Sequence, residues 1–320
     1  MSIGHASLRV GGLALAWLVA AGLTAQEKSE PADQNKPLGY WIELLHSTKP
    51  QERQEARLAL RSIGKSAAPA LIKVLQHKEA PIRAEAVAVL VSMGTTAVPE
   101  LIEALRHDDR LIRCGASTAL TRIGKVAVPA LVRALEDPEA RLRSEATFAL
   151  TQIGPEAVPE LLHSLKCLNT QFGASWALAR MGPAVIPALT EALHDENYHV
   201  RTGVACTLGW MGPEAKAAIP ALIEALQREE MNRTSFAEAL SRMGPQAKAA
   251  IPALSGVLKD QVASARQAAA QALAAIGPEA KAAVPSLIEL LEDPVDIVRQ
   301  DAALALKAID PIGAGKAAVK

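Results

Sequence analysis

Apolar positions in this chain recur in blocks of roughly thirty residues, and inside each block they follow a helical period, not an alternating one. Each block closes on Ile-Gly or Met-Gly, at Gly64, Gly94, Gly124, Gly154, Gly182, Gly212, Gly244 and Gly277, with intervals of 30, 30, 30, 28, 30, 32 and 33 residues. A ninth copy ends in Ile309-Asp310. Counting back from the glycine, apolar residues fall twelve, eight, five, four and one positions earlier; in the third block these are Ile112, Ala116, Ala119, Leu120 and Ile123. That spacing draws one stripe along a helix. The glycine then predicts a helix end in the left-handed conformation.

A proline follows each glycine after five residues at Pro69, Pro99, Pro129, Pro159 and Pro187, and after eight at Pro220, Pro252 and Pro285. Proline suits the first turn of a helix, where its missing N–H costs nothing. It predicts a second helix with its own stripe, such as Leu131, Val132 and Leu135, and a short polar turn such as Asp137-Pro138-Glu139 after it. A single hairpin cannot bury both stripes, but a stack can. The predicted fold is therefore all-α, an α-solenoid (superhelix) of stacked helical hairpins over residues 38–310, with nine first helices and eight complete hairpins. Residues 38–46, with Trp41, Leu44 and Leu45, read as an extra second helix at the N-terminal end, residues 26–37 as a solvated linker and residues 311–320 as a tail.

The first 25 residues differ. Arg9 precedes an apolar or small run over residues 10–23, and Leu23-Thr24-Ala25 offers a small residue before polar Gln26. This is the grammar of a signal peptide, with Val19-Ala20-Ala21 as an alternative cut. The run is short for a membrane span of about 20 residues. The expectation is a periplasmic or secreted protein without stable membrane insertion after cleavage.

Two further columns share the period. An arginine stands eleven positions before the block end at Arg53, Arg83, Arg113, Arg143, Arg201, Arg233, Arg266 and Arg299, broken only by Gln171. An aspartate closes the second helix at Asp137, Asp195, Asp260 and Asp293. With the V-P-x-L start of the second helix, this pattern resembles HEAT repeats, and is similar to the HEAT-like repeats of phycobilin lyases (the PBS-lyase type). The resemblance implies HEAT-type hairpins over nearly the whole chain after the leader. It also implies a ladder of Arg–Asp contacts between successive hairpins, while Arg106 is expected on an exposed edge of a second helix.

Lys plus Arg and Asp plus Glu are 34 each, so the formal charge is zero, and cleavage after residue 25 leaves −1. The absence of a basic excess argues against nucleic acid as a partner. The three cysteines, Cys114, Cys167 and Cys206, form no C-x-x-C pair, so no zinc ribbon or redox motif is present. Gly-Pro-Glu-Ala-Lys-Ala-Ala, at Gly212 and Gly277, lacks the second glycine and the Ser/Thr of a phosphate loop and reads as a hairpin turn. Deoxyhypusine hydroxylases resemble this chain in repeat type and hold two irons with His-Glu pairs, but the dipeptide His-Glu never occurs here. Nothing marks a bilin pocket. No catalytic residue, metal or cofactor is expected. His77 and His107, at second-helix ends, read as complements to helix-end carbonyls.

Two surfaces remain as candidate contact sites. Solenoids bind through extended faces, commonly the concave one lined by second helices. The position four after each proline should point outward there: Lys73, Glu103, Arg133, His163, Glu191, Glu224 and Glu289, with Gly256 in the same column. The first half mixes signs and the second is acidic. The sharper feature is aromatic. Phe148, Phe172, Trp176 and Trp210 lie six, ten, six and two positions before their glycines, on the side of the first helix away from its core stripe. They make up half of the eight aromatic residues outside the leader. Such a cluster fits either packing between neighbouring first helices or a contact site for another protein or peptide. The expected role is a non-enzymatic scaffold or adaptor, with an enzyme of the lyase or hydroxylase type as the alternative.

Overall fold

The computed structural model describes residues 36–229 and 233–311. The expected signal peptide, most of the linker and the tail from residue 312 lie outside them. The described residues form eighteen α-helices and no strand. They fall into two compact units that divide at residues 63 and 64.

The first unit holds α1 (Leu38–Leu44) and α2 (Pro50–Ile63), packed together. Trp41 and Leu45 are buried, as are Ala56, Ala59 and Leu60 on the stripe of α2. Trp41 also takes Tyr40 edge-on at 5.1 Å between ring centres.

The second unit begins with α3 (Ala68–Val74), α4 (Ala80–Met93), α5 (Val98–Ala104), α6 (Arg110–Ile123), α7 (Val128–Ala134) and α8 (Ala140–Ile153). It continues with α9 (Val158–Ser164), α10 (Leu168–Arg180), α11 (Ile186–Ala192), α12 (Tyr198–Met211), α13 (Ile219–Arg228) and α14 (Arg233–Met243). It ends with α15 (Ile251–Val257), α16 (Ala263–Ile276), α17 (Val284–Glu289) and α18 (Asp296–Ile309). Even-numbered helices are long and odd-numbered ones short. Successive long helices pack side by side, and each short helix packs on the long helix that follows it. The stripe of α6 is buried at Ile112, Ala116, Ala119 and Leu120, and that of α7 at Leu131, Val132 and Leu135. The apolar stretch Ala80–Ala104 has the length and composition of a membrane span, but Gly94 bends it into α4 and α5.

The expected left-handed helix end is not what forms. Each glycine has positive φ, from 56° at Gly94 to 79° at Gly277, but ψ near −130° at Gly94 and −144° at Gly277. This is the mirror image of extended backbone, which a Cβ makes strained and which glycine alone enters freely. A 3-10 turn follows, and the proline takes the second position of the short helix. In the three longer connections the turn kinks at Ala215, Ala247 and Ala280, buries those alanines and exposes Lys216, Lys248 and Lys281. They are hairpin turns, as the spacing indicates. Asp310 takes φ −138° and enters no such turn.

The arginine column does two jobs. Arg53, Arg83, Arg113, Arg143, Arg201, Arg266 and Arg299 each donate to the carbonyl six residues upstream, at the turn before their own helix. Several also reach the next hairpin: Arg113 to Glu145 at 3.2 Å, Arg201 to Glu229 at 2.6 Å, Arg233 to Asp260 at 2.7 Å and Arg266 to Asp293 at 2.7 and 2.9 Å. The ladder is Arg–Asp only at its C-terminal end. Asp137 is held instead by Arg106, which also donates to Glu139 at 3.0 Å. Arg106 therefore joins two hairpins and is no free edge residue. Where Gln171 replaces arginine, Thr170 donates to the Ser164 carbonyl and Gln171 crosses to the His199 carbonyl at 2.7 Å.

The column that closes the short helices is one of acceptors. Asp137, Asp195, Asp260 and Asp293 each accept the backbone N–H two residues on. His77 and His107 do the same through Nδ1, at 3.1 and 2.9 Å. Through Nδ1 the histidines thus serve the start of the next helix. Acceptance at Nδ1 requires the tautomer protonated at Nε2.

Two predictions follow from these constraints. Gly154→Ala should destabilise by about 1–3 kcal/mol through backbone strain alone, since the space beside it is open. Gly256→Ala, in exposed α15 with equally open space, should instead stabilise by about 0.5–1 kcal/mol. Urea unfolding of both variants checks the difference in sign.

Arg266→Ala should cost about 1–3 kcal/mol, because charge-assisted hydrogen bonds in a half-buried site are lost. Arg122→Ala, exposed on α6, should stay within about 0.5 kcal/mol. Arg266 holds the Asp293 carboxyl below the usual carboxylate range. A depressed value means stability that is present above the ordinary carboxylate pKa and lost as pH falls through the folded one, below about pH 4. Asp293→Asn should start from a lower thermal midpoint at pH 7 and lose less of it on acidification to pH 3.

Candidate functional site

The long helices α10 and α12 depart from the regular repeat. Small residues line their seam: Ser175 is fully buried and donates to the Gly203 carbonyl at 3.1 Å. A Cβ at Gly203 would stand 3.0 Å from Leu165 and 3.2 Å from Gln171. On the other side of α12, a Cβ at Gly209 would stand 3.1 Å from the Ala239 backbone on α14. Helix α12 is thus tightly held between its neighbours, and its outward side chains are recessed.

Trp210 is half-buried in that recess. Phe172 and Trp176 of α10 lean onto it edge-to-face, at 5.3 and 5.8 Å between ring centres. This geometry places the positive ring edge against the negative face and favours aromatic pairs by about 0.5–1.5 kcal/mol beyond the area buried. Phe172 remains 71% exposed and Trp176 44%. Phe148, on the adjacent α8, is also exposed, and among the described residues no ring contact joins it to the other three. The register shared by Leu58 and Leu304 is exposed too.

The sequence pattern passed over Leu168, which is 68% exposed. Its spacing of four from Phe172 and eight from Trp176 puts all three on one outward stripe of α10. The i, i+4, i+8 spacing was the available signal. It was hidden because a leucine at the start of a helix reads as core.

The second candidate surface is the layer of short helices. Lys73, Glu103, Arg133, His163, Glu191, Glu224 and Glu289 are all exposed there, and so is Gly256. Glu103 pairs with Arg106, Glu224 with His194 and Glu289 with Lys259. Two grooves open on this layer. One of about 520 Å³ lies between α3 and α5, with Pro69, Ile72 and Ala104 on its apolar part. The other, of about 450 Å³, lies between α5 and α7, with Ile102, Pro129 and Ala130. Arg106 borders both.

Groups for covalent or metal chemistry do not converge on either surface. Among the described residues, no cluster of three or more His, Cys, Asp or Glu side chains is placed to hold a metal ion. The three cysteines are free thiols; Cys114 and Cys167 are exposed, and burial pushes the Cys206 thiol up.

The repeat geometry and the sequence agree on a class: a repeat scaffold of stacked helical hairpins. The profile described as HEAT repeats matches residues 40–113, 98–169, 168–241 and 229–307, so the chain belongs to the HEAT-repeat family. The match is to HEAT repeats as such and does not single out the phycobilin-lyase type. No curated protein matches the sequence. Among solved structures, the chain is similar to an engineered protein at 24% identity and a TM-score of 0.40, covering 88% of this chain and 91% of that one. It is similar to Kap95p, whose binding acts on the switch loops of RanGDP, at 13% identity and a TM-score of 0.46, covering 86% and 46%. It is also similar to the karyopherin Kap121p bound to the extreme C-terminus of the protein phosphatase Cdc14p, at 14% and 0.45, covering 92% and 39%. The chain spans less than half the length of either Kap protein.

The two tryptophans should separate in mutagenesis. Trp210→Ala, which empties the recess between α10 and α12, should destabilise by about 2–4 kcal/mol. Trp176→Ala should cost about 1 kcal/mol, since much of its ring faces water. Denaturant unfolding followed by helical circular dichroism reads both values.

Proposed function

We propose that this chain is an exported, non-enzymatic scaffold that binds another protein or peptide through the aromatic surface of α10 and α12. The carrying observation is the stripe of Leu168, Phe172 and Trp176, three large apolar side chains exposed together on two turns of one helix. Aromatic anchors of this kind supply much buried area for little side-chain entropy, and interface energy concentrates on them. Trp210, on the adjacent helix, meets Phe172 and Trp176 edge-to-face from behind. Export rests on the leader grammar of residues 1–25. The non-enzymatic reading rests on the missing His-Glu pairs and on the absence of any convergent catalytic group at the surfaces described.

Expressed in a Gram-negative host, the protein should lose about 20–25 residues on export, as signal peptides do. A full-length cytoplasmic product would remove the export reading. The mature protein should be colourless and metal-free by absorption and elemental analysis; bound iron or a chromophore would favour the enzyme alternative. Trp176→Ala should weaken binding to a captured partner by about 2 kcal/mol or more while the helical signal is unchanged. Unaltered binding would exclude this surface as the contact site.

A further inference from the structure

Side-chain bridges between hairpins follow one another along the second unit, with one long gap. Before the gap, the last are Arg106 to Asp137, Arg141 to Asp108 and Arg113 to Glu145. After it, they resume with Gln171 on the His199 carbonyl and Ser175 on the Gly203 carbonyl, and continue to Asp301 on α18. Between Glu145 and Gln171, among the described residues, no hydrogen bond or ion pair joins one hairpin to the next. Thr170 reaches only the turn beside it. The gap takes in the whole junction of α8 and α9 with α10.

Two registers explain it. Arg143 stands on α8 where Arg266 stands on α16, and Cys167 closes α9 where Asp293 closes α17. Arg266 donates to Asp293 through two hydrogen bonds. Arg143 meets a thiol position instead, and donates only to the Asp137 and Pro138 carbonyls of its own turn. The next column residue is Gln171, which points on to α12. What crosses the junction is apolar contact. A Cβ at Gly173 would stand 2.9 Å from Leu135, and one at Gly203 would stand 3.0 Å from Leu165. Apolar contact is non-directional, so it holds the two sides together without fixing the angle between them, whereas hydrogen bonds weaken steeply when bent.

We propose that the junction between α8 and α10 is a hinge, about which the hairpins before it and those after it turn as two blocks. Sliding of packed helices is a known means of such movement. The hinge divides the aromatic cluster: Phe148 lies on one side, and Phe172, Trp176 and Trp210 lie together on the other. A change of angle alters the gap between them, and a partner that touched both sides would select one angle.

The test is pulsed dipolar spectroscopy on the full chain, with Cys114, Cys167 and Cys206 replaced by serine and nitroxide labels at exposed positions two before a block-end glycine. The pair Gln152→Cys, Arg242→Cys spans three repeats across the junction. The pair Arg180→Cys, Ala275→Cys spans three repeats on one side of it. The first distance distribution should be at least twice as wide as the second. Aspartate in place of serine at position 167 supplies Arg143 with the missing acid and should narrow the first distribution to the width of the second. Adding Arg143→Gln should widen it again. Position 167 is exposed and its register holds Asp137, Asp195, Asp260 and Asp293 elsewhere, so circular dichroism of the Cys167→Asp chain should match the parent. Equal widths for the two pairs in the serine background, no narrowing by Cys167→Asp, or narrowing that survives the loss of Arg143 would each overturn the proposal. No partner enters the measurement, so its outcome is independent of whether the aromatic surface binds one.

Discussion

The repeat depends on one backbone feature at its block ends. At each of them a glycine turns the chain through positive φ, with ψ between −130° and −144° at Gly94, Gly124, Gly154, Gly212 and Gly277. A left-handed helix cap would admit asparagine, and mirror-extended backbone does not. This is the physical reason the position is glycine at every complete connection, from Gly64 to Gly277. The turn sets how the short helix leaves the long one. Only with that angle fixed do the two apolar stripes of a hairpin face the same neighbours.

The arginine column then joins the hairpins. In seven of its eight members the shared contact is local, to the carbonyl six residues back beyond a short helix end, and Arg233 reaches the carbonyl seven back. Its contact to the next hairpin varies: Glu145, Glu229, Asp260 or Asp293. Where the acid of one hairpin lacks a column arginine, as at Asp137, Arg106 supplies the charge from a short helix end. Where the arginine itself is missing, Thr170 and Gln171 divide its tasks, and hydroxyls and glycines bring α10 and α12 together instead. The irregular unit and the aromatic surface are therefore one feature. The close seam recesses Trp210, and Trp210 supports Phe172 and Trp176 at the surface.

Much of this was legible in the chain. Helix count, the positions of the glycine turns, the outward register of Phe148, Phe172 and Trp176, and the exposed column from Lys73 to Glu289 all follow from counting against a repeat, whereas the conformation of the glycines does not. The misplaced polar contacts have a common cause. Arg106, His77 and His107 were assigned from position on their own helix, whereas their partners come from the adjoining turn or the next hairpin. Leu168 was missed because identity, not exposure, was the only guide.

The amino-acid sequence by itself determined the local elements: periodic apolar stripes, glycine and proline at the turns, and an arginine and an acceptor in fixed register. Each rests on interactions within a few residues, so their spacing along the chain is enough to specify them. Tertiary structure decided which charges meet and which aromatic ring is recessed. Those outcomes depend on how closely neighbouring hairpins approach, and a single small residue such as Gly203 or Gly209 changes that distance without leaving a mark in the periodicity.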